Sequence, residues 1–138
     1  MIERLAIIGV GLIGSSLALA LKQAAAVGQV IGYGRNLHNL EKGVELGVID
    51  SLATTIADCV RDADVIVVAV PLGAMRQVFA ELKVSAGRDA VITDVGSAKG
   101  SVIAAASEEL GDLLPRFVPG HPIAGTEKSG VEAGFASL

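Results

Sequence analysis

Three glycines near the start of the chain have the spacing of a phosphate-binding turn. Gly9, Gly11 and Gly14 follow an apolar run and precede a segment with helical periodicity. In such a turn the first glycine permits the tight bend, the second lets a pyrophosphate approach the backbone, and the third lets the helix pack on the strand. The amides of Leu12 and Ile13, aided by the helix dipole, would bind the phosphates. The pattern predicts a dinucleotide site, and the alternative is a plain turn with close helix packing.

The end of the second apolar run bears on which dinucleotide binds. An NAD site places an Asp or Glu there, about 20 residues past the glycines, to accept a hydrogen bond from the ribose 2′-hydroxyl. Gly34 holds that place here, and the guanidinium of Arg35 beside it could pair with a 2′-phosphate. These residues favour NADP. The alternative is that Arg35 stacks on the adenine and that NAD binds through Asn36 or the backbone.

A second group of candidate residues follows the later apolar runs. Ser97 and His121 each come directly after a predicted strand, and ligands of an open parallel sheet bind beyond the carboxyl ends of its strands. A hydroxyl and an imidazole would therefore share one rim. Ser97 would also serve as a helix N-cap, whereas His121 stands between a glycine and a proline with no helical face to bury it. Further candidates for cofactor contact lie at the end of the apolar run at 65–70 and directly after it: Val70, Pro71 and Leu72.

These residues need a scaffold, and the apolar pattern predicts a parallel sheet. Apolar runs at 5–8, 30–33, 65–70, 90–93 and 117–118 alternate with helical segments at 12–25, 39–46, 73–82 and 101–110, and residues 56–61 form a further helix. Strands that alternate with helices imply right-handed crossovers and the strand order 3-2-1-4-5-6. For the third strand only Val48 and Ile49 are available. The fold class is α/β, a Rossmann-type doubly wound parallel sheet.

Composition limits the remaining possibilities. The chain has 138 residues, enough for a single domain over 1–138, and its 51% hydrophobic content is poor in aromatics, as in a buried parallel sheet. No apolar run approaches the roughly 18 residues of a membrane span, and no basic leader opens the chain, so a cytoplasmic location is expected. A net charge of −4 with scattered cations argues against a nucleic-acid partner.

The cysteine and one of the two histidines predict no chemistry. Cys59 is alone in the sequence, so neither a disulfide nor a cysteine-rich metal site is expected, and an inert buried thiol is the interpretation. His38 lies among polar residues and is interpreted as a solvated helix residue. No metal site is predicted.

Taken together, the motifs resemble the prephenate and arogenate (cyclohexadienyl) dehydrogenase family of tyrosine biosynthesis. The matching segments are VGLIGSSLALAL at 10–21, DVGSAKG at 94–100 and, most specifically, GHPIAGTEKSG at 120–130. The resemblance implies an oxidative decarboxylation, in which the ring carbon bearing the hydroxyl gives a hydride to the nicotinamide while CO2 departs and the ring becomes aromatic.

The resemblance also implies roles for individual residues. His121 would accept the hydrogen bond of the substrate hydroxyl and take up its proton, which requires a neutral imidazole. Ser97 would bridge the substrate hydroxyl and the nicotinamide. Thr126 and Glu127 would lie beside the substrate, with an ordinary polar loop as the alternative. Lys99 is either catalytic or solvated.

The family's helical C-terminal domain, which dimerises and supplies an arginine for the substrate carboxylate, has no counterpart in this chain. We therefore expect the chain to be part of a longer protein, to bind cofactor, and to turn over little or no substrate alone. The alternatives are another Rossmann enzyme, of the 3-hydroxyacid dehydrogenase or imine reductase type, and a non-catalytic NADP-sensing module. Whether prephenate or arogenate is the substrate stays open.

Overall fold

The computed structural model of the chain describes residues 2–95 and 99–120. In these ranges the strands are β1 (Ile2–Ile8), β2 (Val27–Tyr33), β3 (Ser51–Leu52), β4 (Val65–Val68), β5 (Val91–Asp94) and β6 (Phe117–Val118). The helices are α1 (Leu12–Gln23), α2 (Leu37–Glu45), α3 (Ile56–Val60), α4 (Leu72–Ser85) and α5 (Lys99–Glu109), with a 3-10 helix at Gly111–Arg116.

The strands form one parallel sheet in the order β3-β2-β1-β4-β5-β6, which confirms the predicted strand order and fold class. The register pairs Ile8 with both Tyr33 and Val68, and Val68 with Asp94. The carboxyl ends of β2, β1, β4 and β5 therefore lie in one row. The loops that follow these four strands leave the sheet at the same edge.

The position of the third strand was predicted wrongly. β3 is Ser51–Leu52, which pairs with β2, and the predicted residues Val48 and Ile49 precede it in the turn after α2. Both are buried, and Ile49 packs where Gly32 and Gly43 leave room. The two residues are apolar because they fill the space between α2 and the sheet, whereas the edge strand is defined by its hydrogen bonds to β2.

Helices cover both faces of the sheet, so the strands are apolar on both sides. Ala6 and Ile8 of β1 pack in the cluster that includes residues of α3, α4 and α5, and Leu5 and Ile7 pack in the cluster that includes residues of α1 and α2. All four side chains are fully buried. This arrangement explains the continuous apolar runs from which the doubly wound sheet was predicted.

The predicted helices are present, and their ends differ from the prediction by a few residues. α2 begins earlier than predicted because the Asn36 side chain caps it by accepting a hydrogen bond from the Asn39 amide at 3.2 Å. His38 is an exposed residue of this helix, as predicted. In the described part of the chain, no helix combines the length and apolarity needed to cross a lipid bilayer.

Cys59 lies at the centre of the domain. Its side chain is fully buried, with Sγ 3.6 Å from the carbonyl oxygen of Ile31 and 3.9 Å from that of Ile7. Burial raises the pKa of the thiol to about 12. A thiol of this kind stays protonated and poorly nucleophilic, which agrees with the inert role predicted for it.

Candidate cofactor-binding site

The glycine turn joins β1 to α1 at the switch point of the sheet, where the strand order reverses between β1 and β4. Gly9 has a φ of +98°, and a Cβ added to it would lie 2.5 Å from the carbonyl oxygen of Ala69. A Cβ added to Gly14 would lie 2.7 Å from the carbonyl oxygen of Gly9 and 3.1 Å from Cγ2 of Ile7. The first and third glycines are therefore required by the bend and by the packing of the helix on the strand.

Gly11 differs from the other two because a Cβ added to it would meet no atom within 4 Å. It is the N-cap residue of α1, offers no side chain to cap the helix, and is followed by a first turn without acidic residues. The first amides of a helix, here those of Leu12 and Ile13, have no acceptor within the helix. The turn thus leaves open space in front of free N–H groups and a positive helix end, which suits a pyrophosphate.

A cleft of about 350 Å³ opens beside this turn, a volume suited to a small-molecule ligand. It is bounded by the turn, the end of β2, the start of α2, the loop after β4 and one face of α4. Of the residues predicted to contact cofactor, those that line it are Gly9, Gly11, Gly34, Arg35, Asn36, Val70 and Pro71. Three predicted residues are not among its lining: Ile13, Gly14 and Leu72. The side chain of Leu12 lies outside the described part of the chain.

The end of β2 carries no carboxylate. Tyr33 ends the strand, Gly34 and Arg35 follow at the cleft, and the first turn of α2 has no acidic residue. A Cβ added to Gly34 would meet only ordinary contacts of 3.7 Å, so packing does not require glycine there. Arg35 is exposed, and the side-chain oxygen of Asn36 is occupied as the cap of α2. The cleft therefore presents a cation where an NAD site presents an acid.

On the other side of the switch point, a buried carboxylate joins the ends of β5 and β6. Asp94 is 1% exposed, and its Oδ1 accepts a hydrogen bond from the Gly120 amide at 3.1 Å. A Cβ added to Gly120 would lie 2.0 Å from the carbonyl oxygen of Asp94, so only glycine allows this approach. The backbone that leads to His121 is thus held against the end of the strand that leads to Ser97.

Four predicted site residues lie outside the described residues: Ser97, His121, Thr126 and Glu127. Sequence reasoning also missed residues that the structure brings to the sites. Asp94 belongs to the segment DVGSAKG, which predicts no role for it, and Asn39, Gln77 and Glu81 also line the cleft. The last two share a helical face with Ala74 and Val78, a spacing that is visible in the sequence but does not reveal which element it faces. Among the described residues, no group of three His, Cys, Asp or Glu side chains is placed to hold a metal.

A parallel sheet of this strand order, with a glycine turn and a cleft at its switch point, defines a Rossmann-type dinucleotide-binding domain. The family model for the nucleotide-binding domain of prephenate dehydrogenase matches residues 17–138. The chain belongs to the prephenate dehydrogenase family, which confirms the resemblance drawn from the motifs. The glycine turn lies before the matched range.

Individual relatives agree with this assignment. The cyclohexadienyl dehydrogenase of Zymomonas mobilis is 41% identical over 99% of this chain, which covers 46% of that protein. The crystal structure of prephenate dehydrogenase from A. aeolicus, in complex with hydroxyphenyl propionate and NAD+, has a TM-score of 0.81 and 37% identity, over 96% of this chain and 46% of that one. Arogenate dehydrogenase from Synechocystis has a TM-score of 0.78 and 30% identity, over 91% of this chain and 42% of that one. The chain spans less than half the length of these relatives.

Proposed function

We propose that the chain is the cofactor-binding part of an NAD(P)-dependent dehydrogenase that oxidatively decarboxylates prephenate or arogenate. The observation that carries this proposal is the contact between Asp94 and Gly120. It holds the ends of β5 and β6 together at the sheet edge where the glycine turn and cleft lie. The segments that carry Ser97 and His121 would then leave the sheet beside a cofactor bound at the switch point.

In this proposal each residue has a limited task. Bound NAD(P)+ would accept the hydride from the ring carbon that bears the hydroxyl. His121 would hold that hydroxyl through a hydrogen bond and take its proton as the C=O forms, and the proton returns to the oxygen when loss of CO2 makes the ring a phenol. Ser97 would bind the same hydroxyl and orient it. Thr126 and Glu127 would contact the substrate.

The proposed function is tested with a form of the protein long enough to match its relatives. We expect it to reduce the nicotinamide cofactor with prephenate, with arogenate or with both, and to release CO2 in equal amount, measured by absorbance at the wavelength of the reduced cofactor and by CO2 capture. Activity with a 3-hydroxyacid, or activity towards an imine, in place of both substrates would contradict the proposal.

We expect the 138 residues alone to bind cofactor and to turn over little or none of either substrate. Recognition of a substrate carboxylate favours a free arginine, and Arg116 is instead bound to the carbonyl oxygens of Ala90 and Asp89. The family's helical domain would supply that arginine and the dimer contact. Robust turnover of prephenate by the isolated chain would show this view to be wrong. A small-molecule substrate, no nucleic-acid or membrane partner, and a cytoplasmic location remain parts of the proposal.

We infer that the cofactor is NADP rather than NAD. The support is the guanidinium of Arg35 at the cleft and the absence of an acid at the end of β2 and in the first turn of α2. Arg35→Ala should weaken NADP binding by about tenfold or more, because a charge-assisted hydrogen bond to phosphate is lost, and should leave NAD binding within about threefold of wild type. Gly34→Asp, for which the backbone has room, should shift the preference towards NAD.

Both affinities are measured by titrating the fluorescence of the reduced cofactors. Arg88→Ala is the matched control, because Arg88 is exposed and is not among the residues that line the cleft. It should leave both affinities unchanged. An unaltered ratio of NADP to NAD affinity in Arg35→Ala would contradict the inference and would favour a stacking role for Arg35.

A further inference from the structure

One face of α4 gives the cleft a polar margin that the glycine turn and the ribose position do not explain. Ala74, Gln77, Val78 and Glu81 all line the cleft and follow one another at helical spacing. Ala74 and Val78 provide an apolar surface, and Gln77 and Glu81 provide an amide and a carboxylate. Within the described part of the chain, neither of these polar side chains has a hydrogen-bond or ion-pair partner.

The position of this face follows from the rest of the site. The pyrophosphate belongs at the glycine turn, and the adenosine ribose belongs at the end of β2 beside Gly34. The base attached to that ribose must then occupy the remaining part of the cleft, where Ile56, Val70 and Val78 offer apolar contact. Gln77 and Glu81 lie at the margin of that part.

The negative charge of Glu81 limits the ligand groups that it can contact favourably to hydrogen-bond donors. A carboxylate only accepts hydrogen bonds, and it is repelled by the phosphates of a dinucleotide unless it meets a donor. Adenine carries such a donor, its 6-amino group, next to the acceptor N7. Hypoxanthine keeps N7 but carries a carbonyl oxygen in place of the amino group. A glutamine amide can pair with adenine through a donor and an acceptor together, as it does with adenine in DNA.

We propose that Gln77 and Glu81 read the amino edge of the adenine base and make this domain selective for adenine over hypoxanthine dinucleotides. The proposal rests on the proposed cofactor-binding function and adds the residues that recognise the base. Glu81 discriminates because it can only accept a hydrogen bond, and Gln77 contributes affinity because it can both donate and accept.

The test compares the binding of reduced nicotinamide adenine dinucleotide with that of its hypoxanthine analogue, each with or without the 2′-phosphate, whichever the chain prefers. Wild type should bind the adenine form about tenfold more tightly, the loss expected when a charged acceptor faces a carbonyl oxygen. Glu81→Gln should reduce the ratio to within about threefold, because an amide can present a donor to the carbonyl. Glu45→Gln removes the same charge from an exposed residue of α2 outside the cleft lining and should leave the ratio at its wild-type value.

The possible results separate the two proposals. Equal affinity of wild type for both dinucleotides, or an unchanged ratio in Glu81→Gln, overturns base reading by α4 and leaves cofactor binding intact. Failure of wild type to bind either dinucleotide removes the proposed function itself, and the present proposal with it. Gln77→Ala provides a second measurement, because it should weaken binding of the adenine form and affect the hypoxanthine form less.

Discussion

Alanine at Gly11 is expected to weaken dinucleotide binding by about ten- to a hundredfold while the domain stays folded, because its methyl group would enter the space in front of the α1 amides. The structure leaves that space free, since no atom lies within 4 Å of a Cβ at this position. The backbone of Gly11 has a φ of −106°, which alanine adopts without strain. The loss should therefore fall on the ligand and not on the fold.

Alanine at Gly9 should instead lower the stability of the fold. Its φ of +98° is unfavourable for alanine, and the new Cβ would lie 2.5 Å from the carbonyl oxygen of Ala69. Strain and overlap together should cost about 3 kcal/mol, which corresponds to a fall of about 10 °C in the melting temperature of a domain of this size.

The two substitutions are compared by thermal unfolding followed by circular dichroism and by cofactor titration. Gly87→Ala is the control, because a Cβ there also meets no atom within 4 Å and the residue is outside the cleft lining. It should change neither quantity. If Gly11→Ala bound cofactor as wild type does, the turn would not hold the pyrophosphate.

The second large effect is expected for His121→Asn in a form of the protein long enough to be active. Asparagine cannot take up a proton, so kcat should fall by about a thousandfold, while the affinity for cofactor should change by less than about twofold. Wild-type kcat/KM should fall as the pH is lowered, because the imidazole must be neutral to accept the proton. The pH branch should be absent in the variant.

His38→Asn provides the matched control for this substitution. His38 is the other histidine of the chain and is exposed on α2, so its replacement should leave kcat and the pH profile unchanged. An active His121→Asn variant would exclude His121 as the base and would move attention to Ser97 or to a residue outside these 138.

The sequence was sufficient for the sheet order and for the glycine turn, because both depend on periodicity and on glycine spacing. It was insufficient for β3, because a two-residue edge strand is set by backbone hydrogen bonds and carries no apolar signature of its own. Val48 and Ile49 are apolar for a different reason, since they fill the space under α2. Periodicity alone does not separate these two causes.

Asp94, Gln77 and Glu81 could not be predicted as site residues for one physical reason: their positions depend on tertiary packing. The burial of Asp94 depends on the approach of Gly120 from β6, which is a distant segment with its own register. Gln77 and Glu81 line the cleft because of how α4 is rotated against the sheet. A sequence gives the period of a helix, but which of its faces lines a cleft is decided by packing with residues far away in the chain.

The rate at which Cys59 reacts with a thiol reagent can report on opening of the core. Its sulfur lies against the carbonyl groups of β1 and β2, and the high pKa keeps the thiol protonated and unreactive while the core is folded. A thiol reagent can therefore react with Cys59 only after the core around it unfolds and exposes the side chain. In a chain with one cysteine, the rate of labelling reports how often the core opens, and its slowing with added dinucleotide measures how far the cofactor holds the two halves of the sheet together.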